Sequence, residues 1–191
     1  MWNFSKFRNK IALINDNEKV LYKDLIVYTK KIVKKLRKKS LTVMLANNSI
    51  GSIICYISLV KKRYPVLILD EKISKKFLKK IIKLYKPENI FLSTENSLLR
   101  NSKDYKFNFK FKKFQFLKNV NKDTFEIKNH LSILATTSGS TGSAKLVRQS
   151  YNNIKSNTYS IIKYLKLNKD NITITNLPLS YTFGMSIINT H

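Results

Sequence analysis

Acidic residues are scarce in this chain: 11 Asp and Glu stand against 37 Lys and Arg, a formal net charge of +26 over 191 residues. Arginine is scarce as well, supplying only 5 of the 37 basic side chains. Its planar fork reads bases and phosphates bidentately, whereas lysine acts as a hydrated point charge. A dedicated reader of nucleic-acid sequence is therefore not expected. The lysine excess, beside many Asn, Ile, Phe and Tyr, fits a compositional bias toward AT-rich codons, with general anion affinity as its by-product. A single cysteine, Cys55, excludes an internal disulfide, and its place in the apolar run Ile53–Val60 predicts a buried structural thiol. The two histidines, His130 and His191, are isolated, and there is neither a metal-ligand cluster nor a G-x-S-x-G elbow, so no residue is assigned as catalytic. No window reaches the ~18 apolar residues a spanning helix needs. The start, MWNFSKFRNK, has no stretch of signal-peptide type, and the expected compartment is the cytoplasm.

What is present is a hydrophobic content of 43%, the level of a globular protein with a substantial core. Ile11–Leu13 and Val20–Tyr22 flank Asn15-Asp16-Asn17-Glu18 and predict a β-hairpin. From Asp24 a helix is expected, with Leu25, Tyr28, Ile32, Val33 and Leu36 on one face and lysines in water on the other. Leu41–Ala46, Pro65–Leu69 and Ile90–Leu92 read as buried strands, separated by amphipathic helices capped at Ser49 and Ser74. That alternation predicts right-handed βαβ crossovers and a parallel sheet over residues 1–93. A β-rich portion follows over 105–191. In it Phe107, Phe109, Phe111, Phe114 and Phe116 alternate as a core-facing aromatic stripe, broken by a turn or bulge at Lys112-Lys113. Ser150 is expected to cap a helix carrying Ile154, Ile161, Ile162 and Leu165, and Ile172–Leu177 to form a further strand.

Glycine is the other rarity, and its distribution is informative. Of four in the chain, Gly139 and Gly142 sit together in Thr137-Ser138-Gly139-Ser140-Thr141-Gly142-Ser143-Ala144-Lys145, between the strand-like runs Leu131–Ala135 and Leu146–Val147. Turn amides freed by glycine, hydroxyl donors and a lysine charge together make a phosphate cradle. The spacing matches neither Walker A nor G-x-G-x-x-G. Ser, Thr and Gly are also ordinary turn residues, so composition leaves a hydrophilic hairpin turn equally open.

The order of those residues closely resembles the signature loop of the adenylate-forming superfamily, which comprises acyl-CoA synthetases, peptide-synthetase adenylation domains and luciferases. Ala144 stands where most members have proline. Leu21-Tyr22-Lys23-Asp24-Leu25 and Val43-Met44-Leu45-Ala46-Asn47-Asn48-Ser49 resemble the family's opening strand-and-helix segments, and Pro178-Leu179-Ser180-Tyr181-Thr182-Phe183-Gly184 resembles its Pro-x-x-aromatic-x-x-Gly stretch. The resemblance implies an α/β fold, the front part of an adenylate-forming N-terminal domain. It implies ATP with Mg²⁺, the phosphates held by Thr137, Ser138, Gly139, Ser140, Thr141, Gly142 and Lys145. It implies a carboxylic acid beside Tyr181 and Gly184, a tyrosine in the core being the alternative for Tyr181. The thiol acceptor, CoA or a carrier protein, is left open.

The resemblance covers nearly the whole chain but only the first portion of that domain. The family's Tyr-Gly-x-Thr-Glu segment, ribose aspartate, hinge and C-terminal lysine have no counterpart here. The expectation is an AMP-dependent ligase-like chain that is truncated and inactive alone, its missing half carried elsewhere or by a second chain. A non-catalytic phosphate-binding or interaction module and a lysine-rich binder of RNA or anionic surfaces remain the alternatives.

Overall fold

The computed structural model describes residues 2–37, 40–121, 124–127, 130–136 and 146–191. A short 3-10 helix, Phe4–Phe7, precedes strands β1 (Ile11–Ile14) and β2 (Lys19–Leu21), which pair antiparallel as the expected hairpin. Helix α1 (Tyr22–Val33) starts two residues earlier than the pattern predicts, because the Asp24 carboxylate accepts the Leu21 amide at 2.8 Å from inside the first turn. Then come β3 (Thr42–Ala46), α2 (Ile50–Lys61), β4 (Val66–Asp70), α3 (Lys75–Tyr85) and β5 (Asn89–Ser93). Next are β6 (Tyr105–Phe111), β7 (Phe114–Asn119), β8 (Leu131–Thr136), β9 (Leu146–Ser150), α4 (Tyr151–Tyr164) and α5 (Thr182–Thr190).

The fold is α/β, built on a seven-stranded mixed sheet in the order β6-β7-β5-β3-β4-β8-β9. Strands β5, β3, β4 and β8 are parallel, as expected for the first three, while β7 and β9 pair antiparallel on either side. Ser49 and Ser74 accept the amides of Ser52 and Phe77 and cap α2 and α3. Lys86 ends α3 in the left-handed region (φ 41°) one residue before Pro87, which cannot continue a helix.

The sheet separates two apolar clusters. Met44, Ala46, Val66, Ile68, Phe91, Phe116, Ile133 and Ala135 face α2, which is buried all round because α1 packs on its far side. Val43, Leu45, Leu67, Leu69, Ile90 and Leu92 face Leu78 and Ile81 of α3. Cys55 is fully buried in α2, and burial pushes its thiol pKa well up, the inert state expected of it. Lysines project from α1 on one face, from α3 on the other and from the edge strand β6, so the charge is spread rather than gathered.

The aromatic stripe divides. Phe111, Phe114 and Phe116 are buried and Phe109 stacks on Phe116 at 4.3 Å, but Phe107 is 63% exposed. The register shifts between Phe107 and Phe109, and this irregularity puts Tyr105 in the α3-side cluster and Phe111 in the α2-side cluster. Lys112-Lys113 is a tight turn with Lys112 at φ 52°. Ile172–Leu177 is not a strand: segment 171–176 has no strand partner among the described residues, and an apolar alternation becomes a strand only against a neighbour's backbone.

Candidate functional site at the carboxyl edge

Helices α2 and α3 leave adjacent strands toward opposite faces of the sheet. Open α/β sheets bind ligands in the crevice that such a reversal leaves at the carboxyl ends of the strands. Here Asn47 closes the turn after β3, its Oδ1 accepting from the Ser49 amide (3.0 Å) and hydroxyl (2.6 Å). Asn47 Nδ2 donates to Glu71 Oε2 at 2.8 Å, and the Glu71 amide donates to the Ala46 carbonyl at 3.1 Å, tying the ends of β3 and β4 together.

Asn48 is the clamp on this edge. Its Nδ2 donates to the Leu177 carbonyl and its Oδ1 accepts the Leu179 amide, both at 2.9 Å, so one side chain replaces backbone pairing for the turn at Pro178. The Ser180 hydroxyl donates to Asp70 Oδ2 at 3.3 Å at the end of β4. Tyr181 and α5 therefore begin over the carboxyl ends of β3 and β4. Tyr181 is 56% exposed among the described residues; Gly184 is buried, and an added Cβ would lie 2.3 Å from the Pro178 carbonyl oxygen.

The stretch containing Thr137, Ser138, Gly139, Ser140, Thr141, Gly142 and Lys145 lies outside the described residues. Both its anchors are described: Thr136 pairs with Leu146 across β8 and β9, and Ile68 pairs with Ala135 across β4 and β8. β8 therefore runs parallel to β4, which ends at Asp70 on the same edge as Ser180. Sequence reasoning recognised Asn47-Asn48-Ser49 as a helix cap but missed the roles of Asn48, Asp70 and Glu71, whose partners lie far away in the chain.

Underneath, a cavity of about 160 Å³ lies among β8, β9, α4 and α5, lined with neutral polar groups that include Gln149, Asn153, Asn157 and Asn189. Asn189 Oδ1 accepts the hydroxyl of fully buried Tyr56 at 2.9 Å, and its carbonyl accepts Trp2 Nε1 at 3.1 Å. Tyr56 thus holds α5 against α2. Burial pushes its phenol pKa up, opposed only in part by the Asn189 bond. Tyr56→Phe should leave Asn189 Oδ1 unpaired and cost about 1–3 kcal/mol in a urea denaturation. An unchanged midpoint would mean that α5 does not depend on this contact.

No protein-family model and no curated protein matches the chain. Solved structures do. The o-succinylbenzoate-CoA synthetase MenE of Bacillus subtilis, in complex with its acyl-adenylate intermediate, superimposes with a TM-score of 0.74 over 98% of this chain at 17% identity. Apo MatB of Rhodopseudomonas palustris (TM-score 0.70, 96% of this chain, 16% identity) and VinN (0.75, 95%, 16%) do likewise. The chain has the fold of the N-terminal portion of the adenylate-forming enzymes. It spans 52%, 40% and 50% of the length of the MenE, MatB and VinN chains respectively. Another structure of the same MenE is a complex with ATP and a magnesium ion.

Proposed function

We infer that the chain supplies the phosphate-binding part of an ATP-dependent carboxylate-activating ligase of the acyl-CoA synthetase type. The observation that carries this reading is positional. Thr136 and Leu146, the described residues that flank Thr137–Lys145 in the sequence, belong to β8 and β9 of a sheet that has the adenylate-forming fold, and β4, the neighbour of β8, ends at Asp70, which accepts the Ser180 hydroxyl.

In the reaction a carboxylate oxygen attacks the α-phosphorus of ATP, the bond to the bridging oxygen breaks, and pyrophosphate leaves with the electron pair. The role assigned to this chain is to orient the triphosphate and neutralise charge on the departing pyrophosphate. Ser138, Ser140 and Thr141 donate hydroxyl hydrogen bonds, Gly139 and Gly142 let the backbone approach, and Lys145 supplies full charge. Tyr181 and Gly184 border the acid. The described residues assemble no group of three His, Cys, Asp or Glu around a metal. Asp70 and Glu71 are engaged by Ser180 and Asn47. Mg²⁺ therefore fits as a companion of the phosphates, supplying charge neutralisation, with the loop hydroxyls as its available protein donors. The adenine and ribose contacts, and the thiol acceptor, are assigned to polypeptide beyond these residues.

Lys145→Ala tests the reading. A hydrogen bond to a charged group contributes about 1.5–3 kcal/mol, so triphosphate affinity should fall by roughly ten- to a hundredfold in calorimetric titration. Binding by the 191-residue chain should be weak and should barely distinguish ATP from GTP. In a chain restored to the length of the solved relatives, the same variant should lose carboxylate-dependent pyrophosphate release. If Lys145→Ala changes neither, the stretch is an ordinary turn and the adenylation reading fails.

A further inference from the structure

Trp2 is the single tryptophan of the chain, and three elements hold it. Its indole Nε1 donates to the Asn189 carbonyl in α5 at 3.1 Å, a contact spanning 187 residues of sequence. Its own carbonyl accepts from Lys61 Nζ at the end of α2, and its ring stacks on Phe4 with centroids 6.2 Å apart. Lys61 Nζ also stands 4.3 Å from the centre of the Phe4 ring, so one ammonium serves both residues. Asn189 is held a second time, through its side chain, by the Tyr56 hydroxyl. Trp2 and Tyr56 therefore join α5 to α2 through one residue.

This hold is made under strain. Trp2 has φ 32°, on the left-handed side of backbone space. A bulky residue stays there only where its surroundings over-determine it, and such outliers gather at clamps and switches. The next anchor shows no such strain: Phe4 is buried in the α2-side cluster, and its ring lies 5.8 Å from that of Tyr22. The chain is thus fixed from Phe4 onward, whereas Trp2 is half-buried and depends on two hydrogen bonds and a ring stack. Releasing it restores an ordinary backbone angle and leaves Phe4 in the core. Segments with few buried contacts open at lower free energy than the whole fold does.

We propose that Trp2 is a latch on α5: docked, it seats Asn189 against α2 with the help of Lys61; released, it swings out about Asn3, relaxes its backbone and leaves Asn189 to Tyr56. The latch opens before the fold does. Coupling between two sites is reciprocal, so whatever shifts α5 also shifts the latch, and the indole reports it. Tyr181 and Gly184 stand at the start of the same helix. The latch therefore positions, from the other end of α5, the wall assigned above to the carboxylic acid. That consequence rests on the ligase reading, whereas the latch itself does not.

With one tryptophan in the 191-residue chain, indole emission reads the latch and far-UV circular dichroism reads the fold. In a urea titration the emission should move to the red at a lower denaturant concentration than the dichroism transition. Lys61→Met keeps the aliphatic stem and removes the donor to Trp2, and should shift the emission to the red without denaturant. Lys62→Met removes a neighbouring exposed charge and should leave it unchanged. Trp2→Phe keeps a ring and loses the N–H. Amide hydrogen exchange across 184–189 should then quicken by about two- to tenfold, the equivalent of one hydrogen bond, while β3 and β4 keep the parent rates. The proposal is overturned if emission and dichroism change together at one midpoint, or if Lys61→Met emits like the parent or like Lys62→Met. It is also overturned if Trp2→Phe leaves exchange across 184–189 unchanged or accelerates β3 and β4 equally. None of these readouts involves a triphosphate, so the latch and the ligase reading fail separately.

Discussion

Phe91→Ala should remove about 3–5 kcal/mol of stability, the usual cost of truncating a buried phenylalanine. Phe91 is fully buried in β5, where the sheet changes from parallel pairing with β3 to antiparallel pairing with β7. Its ring stacks on Phe114 (centroids 4.7 Å apart, planes 8° apart) and tilts against Phe116 at 4.9 Å. Phe116 in turn stacks on Phe109. Removing Phe91 therefore opens a cavity bordered by rings that hold three strands in register. Collapse into it would disturb both aromatic pairs, each contributing about 0.5–1.5 kcal/mol beyond area burial. Total stability of a domain is about 5–15 kcal/mol, so the variant should lose a large share of it. Phe107→Ala is the matched control: that ring is 63% exposed, and the change should stay within about 0.5 kcal/mol. Urea midpoints at constant slope decide the matter. A Phe91→Ala midpoint equal to that of Phe107→Ala would mean that the β5–β7 junction is not held by these rings.

How legible the fold was in the sequence follows from where each element finds its partners. Leu41–Ala46, Pro65–Leu69 and Ile90–Leu92 are apolar except for the buried Thr42 because both faces of the sheet are covered, so they read as parallel strands without any structure. The caps at Ser49, Ser74 and Ser150 were equally plain, since each is satisfied within three residues. Long-range partners left no local trace. Nothing in Phe114–Asn119 announces pairing with β5, and the register shift that turns Phe107 outward depends on β7 rather than on the spacing of phenylalanines. Ile172–Leu177 failed for the opposite reason: the pattern of a strand is present and its neighbour is not. At the site, residue order identified the Thr137–Lys145 stretch, which lies outside the described residues. Asn48 looked like one of several capping residues, and only the fold brings the Leu177 carbonyl and Leu179 amide to its two ends.

Gly184→Ala should destabilise the chain by about 1–3 kcal/mol, the range for forcing extra atoms into a packed site, and should do so through the candidate site. Its backbone needs no left-handed conformation; the constraint is approach. A Cβ there would stand 2.3 Å from the Pro178 carbonyl oxygen and 3.0 Å from the Leu177 oxygen, and both obstacles are backbone. The Pro178 carbonyl already accepts the Tyr181 amide at 3.0 Å, so it cannot turn away without opening the turn that starts α5. The neighbouring bonds, Leu179 to Asn48 and Ser180 to Asp70, would be strained with it. Gly51 provides the contrast. A Cβ at that position meets side chains rather than backbone, the Phe114 ring at 2.8 and 2.9 Å and Lys112 Cβ at 3.6 Å; the ring must shift against Phe91, which offsets the gain of about 1 kcal/mol that alanine in a helix has over glycine. Gly51→Ala should therefore lie above Gly184→Ala in urea midpoint. Hydrogen exchange separates local from global effects: in Gly184→Ala, faster exchange should begin at the Tyr181 and Met185 amides, whose acceptors are the Pro178 and Tyr181 carbonyls, and leave β3 and β4 protected. If those two amides exchange at the parent rate, α5 is not seated on the Pro178 carbonyl, and the glycine expected at this place by resemblance has no packing reason to be one.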